Sequence, residues 1–443
     1  MTPEIKHRIG QIRRGEMPEG YNRVRDSIIP SDWKQYCLGE LGKNKNGLNF
    51  HREDKGIKIR ILGVGDFGNL SVLRDLNALS EISMRFMPDD ELLLKNGDIV
   101  FVRSNGSKEL VGRNLLVYPQ NEKVSFSGFC IRFRLSSDKI TTAEYINLLL
   151  DNGVLKQKLQ SENQGSNISN LNQSIIDNLQ ISIPCKGEQQ KIVAILTTQD
   201  RVIELKEKRL AEKQRQKKYL MQQLLTGKKR LPGFSGQWEI KDFNQVFAFG
   251  VTNTFSRECM CEDSTGVKNI HYGDILMRYG EVLKLSEQEI PSLLSDIGAK
   301  ITTFVEDGDV VIADTAEDLT AGKAVEVQET HGKKVAAGLH TMLCKPIKDC
   351  FAPGWLGYYM NSETYHKQLV PYIAGVKVMS ISKGNIVKTH ILMPPIEEQA
   401  AIAEVLSTAD REIELLQQDI EQEKQKKKAL MQLLLTGIVR VKT

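Results

Sequence analysis

The first spacing that suggests chemistry is Gly63-Val64-Gly65-Asp66-Phe67-Gly68, which follows the apolar run 57–62. Glycines at these intervals let a backbone approach a phosphate or ribose at a helix N-terminus, as a dinucleotide or methyl-donor site requires. The matching stretch later in the chain, His271-Tyr272-Gly273-Asp274-Ile275-Leu276, keeps only the Gly-Asp pair. A strand-start turn explains both copies, whereas a cofactor site explains one. Other catalytic signatures fail. Gly322-Lys323 is followed by Ala324 and has Glu317 where a phosphate-cradling loop needs glycine. Pro394-Pro395 is followed by Ile396, not by the aromatic residue of an amino-methylating motif, and Pro88-Asp89-Asp90-Glu91 lacks the Glu-x-Lys partner of a nuclease cluster. There is no nucleophile elbow and no His-Glu-x-x-His. The seven cysteines (37, 130, 185, 259, 261, 344, 350) form no Cys-x-x-Cys, so neither a disulfide framework nor a metal site is expected, and a reducing cytoplasm is. Together these absences favour a binding protein without cofactor over an enzyme.

What remains is polar and basic chemistry. Residues 42–60 carry Lys43, Asn44, Lys45, Asn46, Asn49, His51, Arg52, Lys55, Lys58 and Arg60. After the strand-like run 97–103 come Ser104-Asn105-Gly106-Ser107 and then Gly112-Arg113. The corresponding stretch of the second half holds Asp314-Thr315 and Gly322-Lys323, with Asn253, Ser256, Arg257, Arg278, His340 and Lys377 as further polar candidates. Arginine forks match guanine O6 and N7, asparagine matches adenine N6 and N7, and serine and lysine suit phosphates. Different polar residues in matching loops are what two readers of different base sequences need.

These loops must be positioned by a duplicated framework. Residues 188–230 align with 398–440 without a gap, with 20 identities in 43 positions. They include Glu188-Gln189 with Glu398-Gln399, Asp200-Arg201 with Asp410-Arg411, and Leu224-Leu225-Thr226-Gly227 with Leu434-Leu435-Thr436-Gly437. The offset persists upstream: Gly165 meets Gly375, Ile168 meets Val378, Pro184 meets Pro394, and Gly97-Asp98 meets Gly308-Asp309 with one residue of slippage. Trp33 and Trp238 each open a half. The 443 residues are thus two homologous halves, each a divergent globular part followed by a similar helical segment. A composition of 40% hydrophobic and 26% charged residues with a net charge of +4 is that of an ordinary folded chain, and no apolar run approaches a membrane span.

Helical spacing appears at Ile192, Ile195 and Leu196 and at Ile402, Val405 and Leu406, before a second, longer helix expected from about 200 to 225 and from 410 to 435. Ile413, Leu416, Ile420, Leu430 and Leu434 fall on heptad a and d positions, interrupted by Glu423 and Lys427; Lys206, Lys213 and Lys217 interrupt the first copy. Neither helix hides its seam alone, so antiparallel pairing of the two is expected. Residues 201–230 hold 11 basic and 3 acidic side chains, against 6 and 5 in 411–440. The globular parts mix strand-like runs (97–103, 129–134, 308–313, 387–393) with helical ones (138–153, 354–369), an α+β fold.

This layout resembles the specificity subunit of Type I restriction–modification systems. The Glu-Gln starts, the Leu-Met-Gln…Leu-Leu-Thr-Gly endings, Gly97-Asp98-Ile99 with Arg103-Ser104-Asn105-Gly106, and Tyr272-Gly273-Asp274-Ile275 carry the resemblance. It implies two α/β target-recognition domains, each reading half of a bipartite double-stranded DNA site, separated by coiled-coil-like helical regions. It implies two modification subunits with adenine-N6 methyltransferase activity and separate restriction subunits carrying motor and nuclease. The expected domains are 1–30 joining the C-terminal end, 31–185, a central spacer 186–232, 233–395, and a C-terminal spacer 396–443. The expected DNA contacts are Lys43, Lys45, Asn46, Arg103, Ser104, Asn105, Ser107 and Arg113 in the first half. In the second they are Asn253, Ser256, Arg257, Arg278, Asp314, Thr315, Lys323, His340 and Lys377. Partner contacts are expected at Glu188, Gln189, Ile192, Glu398, Gln399 and Ile402. About 26 helical residues make a rod of ~39 Å, close to the ~34–36 Å turn of B-DNA. The chain ends are expected to meet and complete a pseudo-symmetric ring. Two other readings stay open: a DNA-modifying enzyme using S-adenosylmethionine through 63–68, and a coiled-coil scaffold without DNA affinity.

Overall fold

The computed structural model describes residues 3–24, 27–50, 55–68, 70–107, 109–153, 155, 159, 171–262, 266–347 and 350–441. His51, Arg52, Gly165 and Ile168 lie outside the described residues. The chain divides into two compact units, Met1–Leu205 with Ile420–Thr443, and Lys206–Asp419. The divisions fall inside the two long helices, so each unit holds one globular part and a portion of both helices.

In the first unit a five-stranded sheet runs in the order Gly42–Asn46, Cys130–Leu135, Asp98–Val102, Asn114–Val117, Val72–Leu73. A three-stranded sheet beside it has the order Val124–Phe126, Ile57–Leu62, Ser80–Met84. The central strand is apolar on both faces because both are covered. Ile99 and Phe101 pack with Ile131, Phe133 and the helix Ala143–Leu150, while Val100 and Val102 pack with Leu115, Val117 and Phe126.

The second unit repeats this order. Its five strands run Phe247–Phe249, Thr341–Pro346, Val310–Ala313, Ala324–Gln328, Val282–Lys284, and a four-stranded sheet runs Met260–Cys261, Ser292–Leu293, Lys268–Ile270, Val335–Ala337. Register repeats too: Cys130 pairs with Val102, and Thr341 with Ala313. The shared Gly-Asp motif has one purpose in both. Gly97 (φ 86°) and Gly308 (φ 87°) take a left-handed turn into the central strand. The following carboxylate caps that turn: Asp98 accepts from Lys95 N–H and Arg134, and Asp309 from Glu306 N–H and Lys345.

Strand and helix bounds differ from the sequence reading where local chemistry intervenes. The run 354–369 is two helices, Trp355–Met360 and Glu363–Leu369, because the Ser362 hydroxyl accepts from Tyr365 N–H and starts a new helix. The strand placed at 387–393 is shortened to His390–Met393. The two-helix reading of each helical segment is corrected to one continuous helix, Lys186–Leu224 and Ile396–Leu434, each of 39 residues. Nothing in 197–200 breaks it, and the Thr198 hydroxyl donates to Ala194 O within the helix.

The charged residues that interrupt the seams meet polar partners on the opposite helix. In the second unit Lys206 meets Asp419 (2.8 Å), Lys213 meets Glu412 (2.5 Å) and Lys217 meets Asp410 (2.6 Å). In the first, Lys427 meets Asp200 (2.5 Å), and Gln199 Nε2 donates to Glu423 (2.6 Å). In the second unit partners descend along one helix as they ascend the other, so the pairing there is antiparallel. The central helix is lysine-rich because the C-terminal helix supplies the acids.

Candidate nucleic-acid interface

In the first unit the structure brings Arg103, Ser104, Asn105, Ser107 and Arg113 onto one hairpin loop, between Asp98–Val102 and Asn114–Val117. Val102 N–H donates to Arg113 O, and Gly112 N–H to Val102 O, closing the loop. Asn105 Oδ1 accepts Ser107 N–H. Arg103 reaches back to Gly128 O (3.4 Å), and its amide donates to Phe129 O (2.8 Å). Asn46 lies on the edge strand opposite Ile131, beside the same 127–130 turn. Lys43 and Lys45 sit further down that strand, opposite Arg134 and Arg132, and Lys45 is tied to Glu91 (2.6 Å).

In the second unit Asp314, Thr315 and His340 converge. Thr315 Oγ1 donates to Asp314 Oδ1 (2.7 Å), and His340 Nδ1 lies 3.5 Å from that same oxygen. The Tyr272 ring stands edge-on to His340, with centroids 5.3 Å apart. Thr315 and Ala316 pair with Ser380 and Met379, holding the exposed Lys377 on the adjoining loop. The other residues are not part of this cluster. Asn253 is committed to Asn269 and Ala337 O, and the exposed Arg257 reaches Asp274 (3.0 Å) at the 3-10 turn that Ser256 begins. Arg278 is exposed and reaches Glu289 O (3.4 Å). Lys323 is turned inward: its ammonium donates to Leu276 O and Tyr279 O, and burial lowers its pKa.

The sequence 63–68 is not a phosphate cradle. It forms a four-residue 3-10 turn, Val64–Phe67, at the end of the preceding strand rather than at a strand start. Asp66 fills the Gly63 amide (2.7 Å), placing a negative charge where an anion would need an N–H.

The six residues expected to bind partners are corrected by their burial. Glu188, Gln189, Ile192, Glu398, Gln399 and Ile402 are all inside the chain's own core. Glu188 accepts from Arg440 (2.8 and 2.7 Å) and from Val441 N–H. Glu398 accepts from Arg230 (2.5 Å twice) and from the Trp238 indole (2.9 Å). The Gln189 and Gln399 side chains each donate to the proline carbonyl before their helix, Pro184 and Pro394. Near the chain ends Arg8 donates to Ile438 O (3.2 Å) and Tyr21 to Gly437 O (2.7 Å). Sequence reasoning missed the clamp arginines, although Arg230 and Arg440 are the last identity of the repeat and each half opens on a tryptophan.

His271 gives this face a pH dependence. Its Nδ1 accepts Gly273 N–H (3.2 Å), and burial, reinforced by Arg257, lowers its pKa. A histidine held neutral in the fold contributes stability above its ordinary value of about 6.5, which is lost as pH falls through that value. Thermal melts from pH 7.5 to 5 should show the second unit weakening. His271→Asn, which keeps an acceptor that does not titrate, should flatten that slope.

Among the described residues no group of three or more His, Cys, Asp or Glu is placed to hold a metal ion, and no helix is long and apolar enough to cross a membrane. The family described as Type I restriction modification DNA specificity domain matches residues 30–215 and 300–425. The chain belongs to this family. A putative type I restriction enzyme MjaX specificity subunit of Methanocaldococcus jannaschii is 24% identical, covering 96% of this chain and 98% of the relative. The MjaVIII specificity subunit of the same organism is also 24% identical, over 96% and 97%. Among solved structures, a chain of a type I R-M system complex matches with TM-score 0.58 at 17% identity, covering 93% and 99%. The S subunit from M. genitalium matches with TM-score 0.52 at 11% identity, over 95% and 99%. The specificity-domain fold therefore extends over nearly the whole chain, in two copies.

Proposed function

We propose that this chain is the specificity subunit of a Type I restriction–modification complex and reads a bipartite DNA target, one half-site per recognition domain. The observation that carries this is the repeated strand order with unlike side chains at matching loop positions: Arg103-Ser104 in one unit stands where Asp314-Thr315 stands in the other. Identical frames with different polar tips suit two dissimilar half-sites. The chain itself is non-catalytic in this reading. Two modification subunits supply adenine-N6 methylation, separate subunits supply restriction, and the complex works in the cytoplasm. Because the Glu-Gln helix starts are buried, modification subunits dock on outward helix positions such as Leu205, Tyr219 and Leu415, which are exposed. In this reading the exposed Ser107, His340 and Lys377 and the half-buried Asn105, Asp314 and Thr315 meet the DNA, with Lys43, Asn46 and Arg113 contributing alongside.

Mapping N6-methyladenine in host DNA with and without this gene, with the modification subunits present, tests the reading. A two-part motif with an unspecified spacer is expected; a continuous motif or no gene-dependent methylation refutes it. The long helices set the spacer in this reading. Inserting four residues within 201–225 is expected to lengthen it, and an unchanged spacer would refute the ruler.

A further inference from the structure

Phe129 is 63% exposed on the tight turn between two buried strands. An exposed phenylalanine contributes little of the burial term that stabilises a fold, and this one is held in a fixed place. Its carbonyl accepts from the Arg103 amide (2.8 Å), and its neighbour Gly128 accepts from the Arg103 guanidinium. The same turn in the second unit ends in His340, whose carbonyl accepts from the Asp314 amide (3.0 Å). Strand register makes the two positions equivalent, since each directly precedes the residue paired with the end of the central strand. His340 is also exposed, and its backbone has φ 52°, the left-handed region that favours glycine. Two large exposed side chains at one topological position, each tied through its carbonyl to the first residue of the polar loop, are placed to meet a ligand outside the fold.

We infer that Phe129 and His340 occupy one base-reading position used with two chemistries, an inference that rests on the DNA-reading function proposed above. Phe129 sits between Arg103 and the Asn46 edge and presents an apolar ring, suited to a thymine methyl group in the major groove. His340 presents a polar ring steered from both sides. Asp314 Oδ1 and Thr315 Oγ1 each lie 3.5 Å from Nδ1, and Tyr272 stands edge-on to the ring. In the tautomer that carries its proton on Nδ1, Nε2 is an acceptor for the exocyclic amino group of adenine or cytosine. One half-site therefore carries a position read by apolar contact and the other a position read by a hydrogen bond.

The test uses the full chain expressed with its modification subunits and maps methylated motifs genome-wide for wild type, Phe129→Ala, Phe129→His and His340→Ala. Phe129→Ala is expected to reduce discrimination at one base pair of one half-site by roughly tenfold, leaving the other half-site intact. His340→Ala does the same to the opposite half-site, and Phe129→His changes which base is preferred at the affected position. Melting temperatures of the purified complexes stay within a degree or two, which separates lost reading from lost folding. A wild-type two-part motif that survives all three substitutions at every position overturns this assignment alone, as does a variant that relaxes both half-sites together. A wild-type chain that marks no two-part motif overturns the function proposed above as well.

Discussion

Replacing Lys217 with methionine is expected to destabilise the second unit by about 3 kcal/mol, the range for removing one partner of a buried ion pair. The Lys217 side chain is only 13% exposed, and its ammonium lies between Glu281 (2.8 Å) and Asp410 (2.6 Å), 5.6 Å from the Tyr358 ring centroid. Burial alone would lower its pKa, but the two carboxylates outweigh that and raise it, so it is charged throughout the neutral range. Asp410 is itself raised, chiefly by burial, even with its lysine present. A buried carboxylate whose folded pKa lies above its unfolded value opposes folding at high pH and is relieved as pH falls through the folded value. Without Lys217 the two acids face one another. The penalty of the substitution should therefore be largest near pH 7–8 and shrink towards pH 4–5, as denaturant titrations at several pH values would reveal. A pH-independent loss would mean that packing, not charge, dominates. The counterpart Lys427 has one acid, Asp200, in a more open setting, so Lys427→Met should lose under about 1 kcal/mol.

Glu398→Ala should lower the melting transition of the second unit by roughly 6–12 °C, corresponding to about 3 kcal/mol for a domain of this size. Glu398 is completely buried and joins three elements: its own helix, the Arg230 segment after the central helix, and the Trp238 indole at the start of the recognition domain. Its removal leaves the guanidinium with the neutral Gly236 carbonyl (2.9 Å) in place of a carboxylate, and the indole N–H without its acceptor, and an unmet buried donor is more costly than a lost hydrogen bond. The equivalent Glu188→Ala should lose less, about 2 kcal/mol. Arg440 keeps a second, bidentate partner in Asp32 (2.8 Å twice). Equal losses in the two variants, read by calorimetry, would contradict this account. Both clamps act on the frame that carries the reading loops, so DNA affinity should fall in parallel with stability rather than before it.

The paired seam shows why the two helical segments diverged in charge while keeping their ends identical. Their ends perform the same closure in each unit, through Glu188 with Arg440 and Glu398 with Arg230. Their middles face each other instead of copies of themselves. Lysines accumulate at 206, 213 and 217, and acids at 410, 412 and 419.

The repeat with its shared Gly-Asp pairs, the α+β class and the antiparallel helices were legible in the primary sequence because each depends on local periodicity or on a residue type that recurs at a fixed offset. Gly97 and Gly308 adopt positive φ, and their neighbouring aspartates cap the same turn, so the motif survives divergence. Residue type also suggested the polar loops, but not which side chains remain free. Lys323 and Arg113 stand at matching positions of their hairpins, yet Lys323 is consumed by the carbonyls of Leu276 and Tyr279, 47 and 44 residues earlier. Glu188 and Glu398 were expected to bind partners and are instead buried beneath arginines of the same chain. Conversely, Phe129 falls in a strand-like run and stands in solvent on the turn before the strand Cys130–Leu135. Sequence specifies which groups could pair and where the backbone must turn; burial, and with it whether a charge binds a neighbour or a ligand, is set only when distant segments meet and exclude water.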